Sequence, residues 1–152
     1  MKRMKQAVLF LVISVLLFGC AAQQPLIKPT QSGYPEGLFK NTDVDTVRSK
    51  IMDACVSRGL MVIESTANQI VCGKTMEGGQ AVLAQMLVGN SYSTTPQQKV
   101  RFIIYQMGSD VKVTAQQWIE SQMAFGQTRT QELKGNNQVN DIQNFLFSLG
   151  AQ

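Results

Sequence analysis

The sequence VRFIIYQMGSDVKVTAQQ, residues 100–117, contains two stretches in which apolar and polar side chains alternate, separated by Gly108-Ser109. A period of two residues places successive side chains on opposite faces of a β-strand. The side chains assigned to the shared apolar face are Val100, Phe102, Ile104, Val111, Val113, Ala115 and Gln117. The stretch therefore predicts a β-hairpin with one buried face, the third and fourth strands of the domain.

The residues before this hairpin predict a helix followed by another hairpin. Asp43 can cap a helix that runs to about Arg58, where Gly59 ends it. Its apolar residues recur at helical spacing: Val44, Val47, Ile51, Ala54 and Cys55. Residues 60–66 and 69–76 are rich in β-forming side chains on either side of Ala67-Asn68, which indicates two strands joined by a tight turn.

The residues after the hairpin predict a second amphipathic helix near the end of the chain. Asn136 or Asn137 is its expected cap and Gly150 its end. Its apolar stripe is Val139, Ile142, Phe145, Leu146 and Leu149. The predicted order is α-β-β-(α)-β-β-α. It indicates a two-layer α+β domain, an antiparallel four-stranded sheet with two main helices on one face, which resembles helix-grip modules in fold alone.

The first twenty residues, MKRMKQAVLFLVISVLLFGC, have the pattern of an export signal. Lys2, Arg3 and Lys5 precede an apolar run of 12 residues from Ala7 to Phe18. A helix of that length spans about 18 Å, whereas the hydrocarbon core of a membrane is roughly 30 Å thick. A cleaved signal is therefore favoured over a transmembrane anchor.

The end of this segment, Leu17-Phe18-Gly19-Cys20, resembles the lipobox of bacterial lipoproteins. The resemblance implies that signal peptidase II recognises Leu17, Phe18 and Gly19, cuts before Cys20, and leaves that cysteine carrying acyl chains such as palmitate. Three acyl chains anchor a protein stably to a membrane. Ala21 is not the aspartate that retains such lipoproteins in the inner membrane, so the resemblance implies the periplasmic face of the outer membrane.

The predicted organisation has three parts: signal peptide 1–19, lipidated N-terminus and flexible tether 20–41, and periplasmic α+β domain 42–152. The tether contains three of the four prolines. The chain has a formal net charge of +4, but cleavage removes three basic residues, which leaves eleven against ten acidic ones. The basic character therefore belongs to the export signal and predicts no nucleic-acid partner.

Two cysteines, Cys55 and Cys72, remain after lipidation. The periplasm is oxidising, so they are a candidate disulfide; the alternative is two buried free thiols. No C-x-x-C motif suggests redox catalysis.

The composition excludes several kinds of catalysis. The chain contains no histidine, which excludes serine-histidine and cysteine-histidine mechanisms and the commonest zinc ligand. Gly73-Lys74-Thr75 resembles the end of a phosphate-binding loop, but the glycine required five positions earlier is Asn68, so no nucleotide is expected. Neither a cofactor nor a metal is predicted. An enzyme would have to use scattered carboxylates such as Glu64 or Glu120.

Two features are candidates for a binding surface. Residues 78–90, GGQAVLAQMLVGN, are apolar and flanked by glycines, so they form either a helix that covers the core or a docking patch anchored by Leu83, Met86 and Leu87. Tyr105 and Trp118 are expected on the sheet face opposite the Val111–Ala115 stripe, where they form a neutral recognition surface; the alternative is that they pack under the second helix.

These observations predict a non-enzymatic accessory lipoprotein that binds another envelope protein of a secretion, conjugation or outer-membrane assembly machine. The alternative is a lipoprotein that binds a soluble ligand, such as a hydrolase that it inhibits or a cell-wall fragment.

Overall fold

The computed structural model describes residues 24–90 and 92–152. The predicted lipobox and lipidated Cys20 lie outside these residues. The described elements, in chain order, are β1 (Glu36–Phe39), α1 (Val44–Ser57), β2 (Met61–Ser65), β3 (Gln69–Thr75), α2 (Gly78–Val88), β4 (Gln97–Met107), β5 (Asp110–Gln122), a 3₁₀ turn (Ala124–Gly126), β6 (Thr128–Glu132) and α3 (Asn136–Ser148).

The six strands form one sheet in which every neighbouring pair is antiparallel. The order is β1-β5-β4-β3-β2, and β6 also pairs with β5. Strand β5 is 13 residues long. Strand β1 pairs with its residues 111–114 and β6 with its residues 118–122, so both use the edge of β5 that β4 leaves open.

All three described helices pack on the same face of the sheet, in two separate clusters. Helices α1 and α3 cover the main core, where the rings of Phe102 and Phe145 stack with centroids 5.3 Å apart. Helix α2 covers a smaller cluster around Ile119, farther along β5. Among the described residues, no helix is both long enough and apolar enough to cross a membrane.

The α+β class and the elements predicted around the central hairpin are confirmed. Helix α1 begins after Asp43, whose carboxylate accepts a hydrogen bond of 2.8 Å from the Thr46 amide. The chain leaves the helix at Gly59, where φ is +72°, a conformation that glycine adopts without steric cost. The stripe around Val47 and Ile51 is buried in the core, as its spacing predicts.

The four-stranded sheet is wrong, because two short strands join it. In strand β1, EGLF, half-buried and buried residues alternate as in a regular strand, but the strand has only four residues and directly follows Pro35. Strand β6, TRTQE, is exposed throughout and so lacks the apolar alternation by which strands are recognised. The cap of α3 is also different: Gly135 holds that position, with no side-chain cap, rather than Asn136 or Asn137.

The predicted tether, residues 20–41, is wrong for its described part. Residues 24–28 lie along α3, and residues 36–39 form β1. Asn140 binds the first of these stretches at two points: it accepts a hydrogen bond from the Ile27 amide and donates one to the Pro25 carbonyl, each 2.9 Å long. The folded unit therefore begins before residue 42, because prolines, glycines and polar residues, which are typical of a tether, did not prevent residues 36–39 from forming a strand.

The structure joins Cys55 of α1 to Cys72 of β3 in a disulfide, so the alternative of two free thiols is not what the fold adopts. Both residues are fully buried in the main core. The bridge fixes the helix layer to the sheet and closes a loop with a sequence separation of 17.

We expect the double variant Cys55→Ala/Cys72→Ala to be less stable by about 3 kcal/mol, because the unfolded chain regains the entropy of that loop. Denaturant unfolding of the oxidised wild type and the variant measures the difference. Reductant should lower the stability of the wild type and leave the variant unchanged. Equal stability of the oxidised and reduced wild type would contradict the prediction.

Candidate functional site

Helix α2 is the most unusual surface element of the described chain. It begins at Gly78, where φ is +60°, and continues through residues of good helix propensity, QAVLAQML. It ends at Gly89, whose amide donates to the Gln85 carbonyl. Because the segment from Gly78 to Val88 contains no charged residue, its position depends on apolar packing.

One side of α2 holds it on the sheet. Ala84 and Val88 are buried against Ile119 of β5, with Met76 and Leu133 partly buried beside them. The spacing of four residues places Ala84 and Val88 on one face of the helix. These contacts hold one face of the helix on the sheet and leave most of its apolar surface outside.

The other side of α2 is exposed to solvent. The side chains of Val82, Leu83, Met86 and Leu87 are 56%, 65%, 76% and 62% exposed. Their positions are one, three and four residues apart, so they form a continuous stripe, named here the α2 patch. Exposed apolar patches of this kind mark interaction surfaces more often than isolated apolar residues do.

A cleft of about 550 Å³ runs beside the α2 patch, between the helix and the loop that follows it. The loop is tied to the helix, because Gln85 Nε2 donates a 2.7 Å hydrogen bond to the Asn90 carbonyl. The Asn90 amide in turn donates to Ser93 Oγ at 3.0 Å. The loop that lines the cleft is therefore already ordered before a partner side chain enters, which lowers the entropic cost of binding.

Two exposed aromatic residues lie in loops at this end of the sheet. Tyr92 is 84% exposed, and Phe125 is fully exposed with φ at +65°. A hydrogen bond links the two segments: the Thr94 amide donates to the Gln122 carbonyl at 2.8 Å. A bulky residue with positive φ is strained, and such strain concentrates at functional positions.

The structure brings only some of the predicted interface residues together. Leu83, Met86 and Leu87 share the α2 patch, to which the sequence prediction did not assign Val82. The apolar character of Val82 was visible in the sequence, but its exposure depends on which face of α2 packs against Ile119 and Leu133. Tyr105 and Trp118 lie elsewhere, on the sheet face that none of the described helices covers, so the alternative that they pack under the second helix is wrong.

This second surface, named here the open face, carries charge as well as aromatic rings. Lys99 Nζ lies 2.6 Å from the Glu120 carboxylate, and Trp118 Nε1 donates to the same carboxylate at 3.1 Å. The Arg101 guanidinium lies 5.2 Å from the centre of the Trp118 ring, within cation–π distance. The expectation of a neutral recognition surface is therefore wrong.

The Glu120 carboxylate is ionised more readily than usual. Burial alone would raise its pKa, but hydrogen bonds from Lys99 and Trp118 outweigh burial and hold the pKa below its ordinary value. A group whose pKa is lower in the folded state stabilises the fold at neutral pH. That contribution disappears as the pH falls through the folded-state pKa.

We expect Glu120→Gln to reduce the loss of stability on acidification. Below about pH 5 the wild type loses the contribution of this carboxylate, whereas the variant has none to lose. Thermal unfolding between pH 7 and pH 3 should show that the melting temperature of the variant is lower at pH 7 and declines less as the pH falls. Parallel declines would show that Glu120 is not coupled to folding.

The carboxylates do not gather into a metal-binding group in the part of the chain that the structure describes. No group of three or more His, Cys, Asp or Glu side chains in residues 24–90 and 92–152 could hold a metal ion. Glu64 accepts a 2.8 Å hydrogen bond from Gln69, and Glu120 is occupied by Lys99 and Trp118.

No family model matches the chain, and no curated protein matches it.

Proposed function

We propose that this protein is a non-enzymatic adaptor lipoprotein, anchored through Cys20 to the periplasmic face of the outer membrane, which binds another envelope protein of a secretion, conjugation or assembly machine. The observation that carries the proposal is the α2 patch. A helix that packs on the sheet through Ala84 and Val88 and exposes the four apolar side chains of the α2 patch is suited to docking.

The energetics of the α2 patch favour a protein surface as its partner. Covering the exposed parts of Val82, Leu83, Met86 and Leu87 would contribute about 1 kcal/mol or more for each side chain. No charge of α2 would have to be desolvated, because the helix carries none. The tied loop beside it offers a cleft into which a partner side chain can insert.

The start of the described chain supports a partner located at the membrane. Gln24 accepts a 2.6 Å hydrogen bond from Asn136, the first residue of α3. Asn136 is three residues after Leu133, which packs in the α2 cluster. Cys20 is four residues before Gln24, a reach of at most about 14 Å. An acyl anchor at Cys20 would therefore keep α2 close to the membrane surface.

The helix-grip-like interpretation of the fold belongs to the same proposal. It is supported by the packing of α1 and α3 on one face of an antiparallel sheet. A likeness of fold does not define a partner, so the proposal depends on the α2 patch.

We expect Leu83→Glu to abolish partner binding and to leave the fold intact. Leu83 is exposed, so a carboxylate there is solvated in the free protein but is desolvated in a docked complex. In-cell crosslinking at native expression, followed by identification of the crosslinked proteins, measures the loss. Gln80→Glu is the matched control, because it adds the same charge at an exposed position of the same helix.

Recovery of one stoichiometric envelope protein that is lost with Leu83→Glu and retained with Gln80→Glu would support the adaptor. Recovery of only a soluble hydrolase or peptidoglycan fragments would favour the alternative function. Unfolding of Leu83→Glu would show that the patch belongs to the core, which would contradict the proposal.

We expect Cys20→Ser to abolish lipidation and to release the protein from the membrane, because the acyl chains supply the anchor. Metabolic labelling with palmitate and fractionation of the cell envelope measure both effects. Cys72→Ser should lose the disulfide and keep the label. Equal labelling of Cys20→Ser and the wild type would contradict the lipobox.

A further inference from the structure

One buried polar side chain, that of Gln117, lacks the hydrogen bonds to backbone groups that the other buried polar side chains form. Of the four buried polar residues in the described chain, Ser121, Asn140 and Gln143 are hydrogen-bonded to backbone groups. Gln117 is only 6% exposed, and its Nε2 has no hydrogen-bond partner among the described residues. Buried amides are nearly always paired, so this donor calls for a physical explanation.

Gln117 lies where the two apolar clusters of the sheet meet. On the inward face of β5 it lies between Ala115 of the main core and Ile119 of the α2 cluster. A cavity of about 200 Å³ opens beside it. The apolar lining consists of Leu60, Cys72, Val100 and Ile142, and the polar lining includes Gln98 and Gln117.

Two cations stand at this cavity without an acidic partner among the described residues. Arg58 donates to Ser148 Oγ at 3.0 Å, and its guanidinium lies 4.4 Å from the centre of the Phe145 ring. Lys74 is exposed and forms no ion pair within residues 24–90 and 92–152. Lys99 also borders the cavity, but its ammonium group lies on the open face, 2.6 Å from the Glu120 carboxylate.

The neighbouring cavity strengthens the positive character of this region. Arg58 and Lys74 line it as well, and it contains one acidic residue, Glu77. The two cavities share Arg58 and Lys74, which have no carboxylate partner among the described residues, and together they contain one carboxylate and an unpaired amide donor next to an apolar surface. This combination suits a ligand that has an anionic end and an apolar body.

We propose that the cavity binds a small carboxylate with an apolar body, whose carboxylate accepts a hydrogen bond from Gln117 Nε2 and lies near Arg58 and Lys74. The size of the cavity fits a single amino-acid side chain or a short acid. The same chemistry is offered by a free acid and by the C-terminal residue of a peptide. The inference does not rest on the α2 patch.

The first experiment compares two buried glutamines. In the ligand-free protein we expect Gln117→Leu to raise the melting temperature by about 3 °C, because it removes an unpaired donor and fills apolar space. Gln143→Leu should lower it, because that side chain both donates to and accepts from the backbone of Glu36. A decrease for Gln117→Leu comparable to that for Gln143→Leu would overturn the proposal.

The second experiment measures binding of N-acetyl-leucine to the full lipidated protein in detergent by calorimetry. We expect saturable binding that is lost with Gln117→Leu and weakened about tenfold with Lys74→Gln, because a hydrogen bond or contact to a charged group is lost. N-acetyl-leucine amide, which lacks the charge, should not bind. Binding of the amide as tightly as the acid, or binding unchanged in Gln117→Leu, would overturn the proposal.

Further arms identify the source of the ligand and separate this site from the adaptor. A tripeptide with a free C-terminal leucine that binds at least tenfold more tightly than N-acetyl-leucine would assign the site to peptide ends, whereas equal or weaker binding would assign it to free acids. Absence of saturable binding for both compounds would overturn the proposal. Leu83→Glu should retain acid binding, so the failure of one proposal leaves the other intact.

Discussion

Strand β5 is the element on which the other parts of the structure depend. It pairs with β4 along eleven consecutive residues, and its opposite edge holds β1 at one end and β6 at the other. Its inward face runs from Val111 to Ser121 and is buried at every second position. Both apolar clusters are built on this one face, so the register of β4 on β5 decides which residues the helices meet.

The length of β5 also explains why the helix layer is divided. Helices α1 and α3 cover the half of the strand that contains Val111, Val113 and Ala115, while α2 covers Ile119. A strand of 13 residues is about 43 Å long, whereas a helix of 13 or 14 residues is about 20 Å long, so α1 and α3 leave part of the strand uncovered. Gln117 falls at the division. The alternating pattern assigned it to the inner face, but its polarity gave no sign that it marks a boundary between two cores.

The sequence was sufficient for elements with strong periodicity and clear end signals. Helix α1, with its capping carboxylate and terminal glycine, and the β4–β5 hairpin were predictable because their packing and their turns agree. Strand β6 was not, because an exposed edge strand of TRTQE leaves no apolar pattern to detect. Strand β1 was hidden by its neighbouring prolines, which indicate loops whether or not a short strand follows. Of the binding surface, the apolar residues of α2 were predictable, but which side of the helix is buried depends on contacts with Ile119 and Leu133 from distant parts of the chain.

The abundance of amide side chains has a physical role in this fold. The chain contains 18 glutamines and 7 asparagines but only 16% charged residues. An amide can donate and accept at the same time, and burying it costs less than burying a charge. Asn140 and Gln143 use both functions to hold the backbone of Pro25, Ile27 and Glu36 against α3. A lysine or glutamate could satisfy only the acceptors or only the donors of that backbone. Amides therefore attach the incoming chain to the domain.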